Sequence, residues 1–186
     1  ALANKGERLY TVASQDASFG RLLIRALNTG GHLAFFQSDH KDVTALCGRS
    51  LELSRQLDDQ AGQAAALRAL AATARSQGDL GSARAMYQEC LAIYRSLGDM
   101  WGIGETIHNI GLLTLYFEHD VGAAQQLFEA NLTLWRELGV KWELGNGLAR
   151  LAEAKFEQGE LAAARLLLEE ALDLASLVRS RRNVAF

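Results

Sequence analysis

Histidines, cysteines and paired carboxylates are the residues with which this chain could do covalent or metal chemistry, and their spacing argues against it. His32, His40, His108 and His119 contain no His-x-x-x-His pair, so no helix presents two imidazoles on one face to a metal. Asp39-His40-Lys41-Asp42 and His119-Asp120 fall where helices are expected to turn, and acids there serve as caps. Cys47 and Cys90 are too few for a disulfide framework, and both sit at core positions of expected helices, as inert thiols of a reducing compartment would. Gly102-Ile103-Gly104 and Gly145-Asn146-Gly147 are GxG fragments inside expected helices and lack the third glycine of a dinucleotide loop. No Gly-Lys-Ser/Thr follows a glycine run, and no GxSxG elbow is present. Glu169-Glu170 reads as an ordinary solvated pair. The expectation is a chain with no catalytic residue, no metal and no cofactor.

The elements that would position any other chemistry are set by a repeat. Gln77-Gly78-Asp79-Leu80-Gly81-Ser82-Ala83, leading into Tyr87, Leu91 and Tyr94, returns as Glu118-His119-Asp120-Val121-Gly122-Ala123-Ala124, leading into Phe128, Leu132 and Trp135. It returns again as Gln158-Gly159-Glu160-Leu161-Ala162-Ala163-Ala164, leading into Leu168, Leu172, Ala175 and Val178. The preceding halves repeat in step: Leu67, Leu70, Ala71 and Ala74 match Ile107, Ile110, Gly111 and Thr114, then Leu148, Leu151, Ala152 and Lys155. The i, i+3, i+4, i+7 spacing is one stripe of an α-helix. Each unit is therefore helix, turn, helix, with glycine supplying a left-handed cap and the acid after it starting the next helix. Small Ala71, Gly111 and Ala152, facing Ala83, Ala124 and Ala164, allow close approach, and Tyr87, Phe128 and Leu168 fill the space beyond.

The pattern predicts helices near 21–37, 42–57, 61–77, 81–97, 101–118, 121–138, 142–158 and 161–178. They group into about four hairpins, 21–60, 61–100, 101–141 and 142–179, in a single domain. A leftover helix over 1–17 precedes them, and 180–186 would begin another first helix. The chain reads as a piece of a larger protein. Proline is absent, which suits helices.

Composition is that of a globular chain, with 49% hydrophobic and 22% charged residues. The net charge of −3 provides no positive field to recruit nucleic acid or an anionic membrane. Arg179, Arg181 and Arg182 form the one local basic cluster and read as a solvated helix end. The longest apolar run, 110–117, is too short to span a bilayer, and with no signal peptide visible the expected location is the cytoplasm.

Small residue, alanine and aromatic at these spacings resemble the tetratricopeptide repeat over nearly all of 21–178. The resemblance is carried by Ile107, Ile110, Gly111, His119-Asp120, Ala124 and Phe128, and by Leu148, Leu151, Ala152, Gly159-Glu160, Ala164, Leu168 and Ala171. It implies an all-α, right-handed superhelical solenoid of antiparallel hairpins whose neighbours must stack to hide their apolar faces. Two departures stand out: the unit is about 40 residues and the closing proline is missing. The extra residues lie in Leu-Gly-Asp-Met-Trp-Gly (97–102) and Leu-Gly-Val-Lys-Trp-Glu (138–143). This long variant is similar to the C-terminal repeats of bacterial signal-transduction ATPases and of LuxR-type and maltose-regulator-like transcriptional regulators. The implied role is a sensor or docking arm.

In such solenoids the first helices line the concave face, and the helix wheel then names a groove. The candidates are Arg25, Asn28 and His32; Arg68 and Arg75; His108, Asn109, Leu112 and Tyr116; and Asn146 and Arg150. Arginine forks grip carboxylates, asparagines bond peptide backbone, and aromatics give rigid apolar contact. Phe156 and one of Phe35 and Phe36 are expected in the core instead. Some family members clamp a C-terminal carboxylate with lysine, asparagine and arginine; Arg68, Asn109 and Arg150 match, while Ala72 and Asn146 stand where asparagine and lysine are expected, so the clamp is incomplete. The expected partner is a protein or peptide, with a small-molecule inducer as the alternative and self-association through exposed end repeats as a third reading. Direct contact with nucleic acid or membrane is not expected.

Overall fold

The computed structural model describes residues 9–13 and 16–184, with side chains as far as Leu177. The expected basic cluster Arg179, Arg181 and Arg182, the apolar Val178 side chain and most of the expected 1–17 helix lie outside the described residues. Among the described residues all regular structure is helical. A short helix α1 (9–13) precedes α2 (Ala17–Phe36), α3 (His40–Gln56), α4 (Gln60–Ser76), α5 (Leu80–Leu97), α6 (Met100–Tyr116), α7 (Val121–Leu138), α8 (Lys141–Glu157) and α9 (Leu161–Val184). Two differences from the sequence pattern sit at the ends. Asp16 caps α2 through Ser18 N–H and Phe19 N–H, so that helix starts one turn early. α9 continues to Val184 because no glycine or proline interrupts it.

One turn design recurs between helices. A residue in the left-handed region is followed by a cap: Ser38-Asp39, Asp58-Asp59, Gly78-Asp79, Gly98-Asp99, His119-Asp120, Gly139-Val140 and Gly159-Glu160. The cap's own N–H reaches back to close the preceding helix, as in Asp79 N to Ala74 O at 2.9 Å and Glu160 N to Lys155 O at 2.9 Å. Its carboxylate then starts the following helix: Asp39, Asp59, Asp79, Asp99 and Asp120 each accept the N–H three residues on. α8 departs from this, since Val140 offers no side-chain cap.

The chain divides into two compact units, 1–103 and 104–186, with the boundary inside α6. In the first unit α2 packs on α3 and α4 on α5. Ser50 Oγ donates to Ile24 O at 3.4 Å, and Gly31 lies against Cys47, so α2 and α3 run antiparallel. Ala34, Val43, Cys47 and Ala66 form one core cluster, and Ala13, Ile24 and Leu53 another.

In the second unit Gly104 abuts the Trp135 indole and Gly111 the Phe128 ring, which fixes α6 antiparallel to α7. A β-carbon at Gly111 would stand 2.5 Å from the Phe128 ring, so this small residue is what lets the helices approach. Asn131, fully buried, donates to Gly104 O at 2.7 Å and accepts from Trp135 Nε1 at 2.7 Å. Phe128 and Leu132 of α7 cluster with Leu148, Leu151 and Ala154 of α8, and α9 adds Leu167, Ala171 and Leu174.

Tyr87 and Phe128 fill the spaces expected of them, whereas Leu168 is 47% exposed. Its side of α9 is the side on which α7 receives α8, and no described element follows α9. Phe35 packs against the first unit's core, but Phe36 and Phe156 are exposed, at 74% and 60%; each is at or next to the last residue of its helix, where no helix among the described residues covers it. Neither cysteine is in a disulfide and both are buried, and burial pushes the Cys47 thiol up to about 11. No helix among the described residues is long and apolar enough to cross a membrane.

Candidate functional site

In the first unit the polar residues expected to line a groove make specific contacts of their own. Asn28, half-buried on α2, donates through Nδ2 to Gly62 O at 3.1 Å, tying the first helix of one hairpin to that of the next. Arg25 is exposed, and its carbonyl accepts from Thr29 Oγ1 at 2.9 Å. His32 is exposed beside Phe36, with ring centroids 4.9 Å apart and edge-on. Partial burial and then the Arg68 charge lower its pKa. Arg68 and Arg75, one α-helical double turn apart on α4, bond the phenols of Tyr94 and Tyr87 on α5. Both phenols are raised in pKa, burial outweighing the arginine charges. Arginine and tyrosine thus join the two helices of this hairpin.

In the second unit the contacts converge. Arg150 Nη1 on α8 donates to Tyr116 Oη at 2.6 Å and to Glu153 Oε2 at 2.7 Å, and Tyr116 Oη donates to Glu153 Oε2 at 2.5 Å. Three side chains from two first helices, Tyr116 at the end of α6 and Arg150 and Glu153 on α8, therefore hold one another in a closed triangle. Charged groups bonded this way are stronger than neutral pairs and fix geometry. Burial and the Glu153 carboxylate raise the Tyr116 pKa, so the phenol keeps the proton it donates. Beside the triangle lies a cleft of about 280 Å³, floored by Leu115 and Val121 and rimmed by Tyr116, His119, Glu153 and Glu157.

The remaining candidates of this unit do not line that cleft. His108 leans on Phe128 at 6.1 Å between ring centroids. Asn109 donates to Glu105 O at 2.8 Å within its own helix, and Leu112 packs against the core cluster. Asn146 donates to Glu143 Oε2 at 3.5 Å, and burial followed by the nearby Glu105 charge raises the Glu143 pKa. The helix wheel named Tyr116 and Arg150 but not Glu157 or His119, because a wheel shows one helix and the cleft is closed by a turn. The sequence signal for His119 was its place in the turn, where Gly78 and Gly159 stand in the sister repeats. Among the described residues no group of three His, Cys, Asp or Glu could hold a metal ion.

Antiparallel hairpins with capped turns, repeated along the chain, define the class: a helical-repeat fold of the tetratricopeptide-like kind. The tetratricopeptide repeat family model matches residues 22–96, and such repeats generally serve as non-catalytic binders of protein or peptide. The crystal structure of BtubC (BKLC) from P. vanneervenii is similar at a TM-score of 0.75 and 19% identity, over 95% of this chain and 74% of that one. The TPR-like repeats of a Podosopora anserina protein assigned as a kinesin light chain, in a crystal structure of a substituted form, are similar at 0.63 and 13%, over 84% and 76% of the two chains. A second structure of those repeats gives 0.60 and 13%, over 83% and 76%. At these identities the likeness is one of fold. No curated protein matches the sequence.

Proposed function

We propose that the chain is a protein- or peptide-binding scaffold in which the cleft beside Tyr116, Glu153 and Glu157 takes a side chain of the bound partner. The observation that carries this reading is the Arg150–Tyr116–Glu153 triangle, which pre-orients the polar rim of an apolar-floored cleft. Pre-organised rims of this kind cut the entropy lost on binding. At about 280 Å³ the cleft falls just under the range of roughly 300–1,000 Å³ typical of small-molecule pockets, which favours a side chain over an inducer. The setting proposed is the docking region of a bacterial transcriptional regulator or signalling ATPase, built from four hairpin repeats over 21–179; the proline-free unit of about 40 residues supports it.

A random-peptide display selection against the chain tests the site. Peptides enriched on the natural protein should be lost when Tyr116→Ala and Glu153→Ala are combined. Enrichment that is indifferent to the double substitution would remove the cleft from the proposal. A metabolite thermal-shift screen tests the inducer alternative, since a ligand bound to the native state raises the unfolding midpoint.

A further inference from the structure

The cleft beside the triangle carries a charge that the repeat does not call for. Its walls are the end of α6, the turn into α7 and the end of α8, all inside the second unit. The alignment of first helices that sets Leu148 on Ile107 and on Leu67 carries Glu153 onto Leu112 and Ala72. It carries Glu157 onto Tyr116 and Ser76. Neither sister pair is charged, so packing a first helix does not require these carboxylates.

Among the described residues, two carboxylates line the cleft and no lysine or arginine does. The two carboxylates are held differently. Glu153 Oε2 accepts from Arg150 and from Tyr116, while its Oε1 accepts from no described residue. Glu157 is exposed and makes no hydrogen bond or ion pair with a described residue. Arg150 balances the Glu153 charge, and Lys155 is engaged by Glu160. The Glu157 charge is therefore unmatched, at the rim of a cleft whose floor, Leu115 and Val121, is apolar.

We infer that the side chain taken by this cleft is a lysine or arginine of the bound peptide, its alkyl stem on Leu115 and Val121 and its cation against Glu157 and the open oxygen of Glu153. The inference rests on the reading of the cleft as a binding site and adds the chemistry of the occupant. Long basic side chains lay their methylenes on apolar surface and keep the charged head at its edge. Hydrogen bonds between such a cation and a carboxylate are among the strong ones. A carboxylate in the same place would meet two like charges. A wholly apolar side chain would cover Glu157 without replacing the water it loses.

Random-peptide display on the whole 186-residue chain supplies the probes. Peptides enriched on the natural chain and lost on the Tyr116→Ala, Glu153→Ala double variant should share a lysine or arginine at one position. Changing that residue to methionine keeps a long stem and removes the charge. Fluorescence anisotropy should then show binding weakened by about tenfold or more. Glu157→Gln should weaken the basic peptide by a similar factor and leave the methionine peptide unaffected, a coupling that a merely structural role for Glu157 does not produce. Glu157 is exposed, so the fold tolerates the change, and unchanged circular dichroism checks this. Cleft-dependent peptides with no shared basic position would overturn the inference and leave the cleft a binding site. So would a basic position whose loss costs as much on Glu157→Gln as on the natural chain. A selection that yields no peptide dependent on Tyr116 and Glu153 would overturn both readings.

Discussion

Ser38, Asp58 and His119 sit at φ of 58°, 52° and 56°, where the sister turns place Gly78, Gly98, Gly139 and Gly159. A β-carbon in the left-handed region costs about 1–2 kcal/mol, and glycine avoids it. Ser38→Gly should therefore stabilise the chain by about 1 kcal/mol, part of the gain being offset by the entropy glycine adds to the unfolded chain. Thermal unfolding should show a midpoint about 2–4 °C higher, and no rise would mean the Ser38 side chain stabilises its turn by other means. Cys47 sets an alkaline limit. Folding raises its pKa to about 11, so the native thiol keeps a proton that the unfolded thiol gives up at lower pH. The raised phenols of Tyr87 and Tyr94 act in the same direction. The stability these groups confer is complete below their unfolded pKa values and is lost as pH rises through the folded ones. Unfolding midpoints should fall between about pH 9 and 11, and Cys47→Ala should flatten the early part of that decline. A curve unaffected by Cys47→Ala would assign it to the tyrosines alone.

At the scale of elements, much of the fold was legible because turns and stripes are local. Gly78-Asp79 and Gly159-Glu160 announced their turns, and the helices between them fall within a few residues of the pattern. What a single helix cannot reveal is which neighbour a long side chain reaches. Asn28 had the wheel position of a groove residue, yet it bonds Gly62 O; Arg68 and Arg75 reach tyrosines on α5; Leu112 joins the core. Leu168 looked like Phe128 because their local sequences match, and only the helix that covers α7 distinguishes them. The same comparison exposes a weak start in α8. Val140 has φ −87° and ψ 90°, close to the −91° and 82° of Asp120, yet it carries no acceptor for the helix amides. Val140→Asn should let an amide oxygen take the Glu143 N–H without adding charge beside that carboxylate, for about 1 kcal/mol. Chemical denaturation should show a higher midpoint at unchanged slope. A lower midpoint would show that the half-buried Val140 methyls contribute more than the cap.

At the scale of the molecule, two units with separate cores need not unfold together, since repeat arrays gain stability from each hairpin and its nearest neighbours. Tryptophan gives the means to see this. Trp135 is 1% exposed in the second unit, whereas Trp101 and Trp142 are 47% and 62% exposed and so change little on unfolding. Fluorescence accordingly reports the second unit, while far-ultraviolet circular dichroism reports every helix. Asn131→Ala removes the side-chain bonds to Gly104 O and from Trp135 Nε1, both in buried surroundings, while Gly104 O keeps its place in the helix ladder of α6. Losing such buried hydrogen bonds, with a cavity where the amide stood, costs about 1–3 kcal/mol. The fluorescence transition in urea should move to lower denaturant by that amount, while circular dichroism becomes biphasic, its later phase lying where the natural chain unfolds. Two-state behaviour requires the probes to coincide. If both move together in the variant, the helix α6 that carries the boundary couples the units so tightly that damage to one core is felt as damage to the whole.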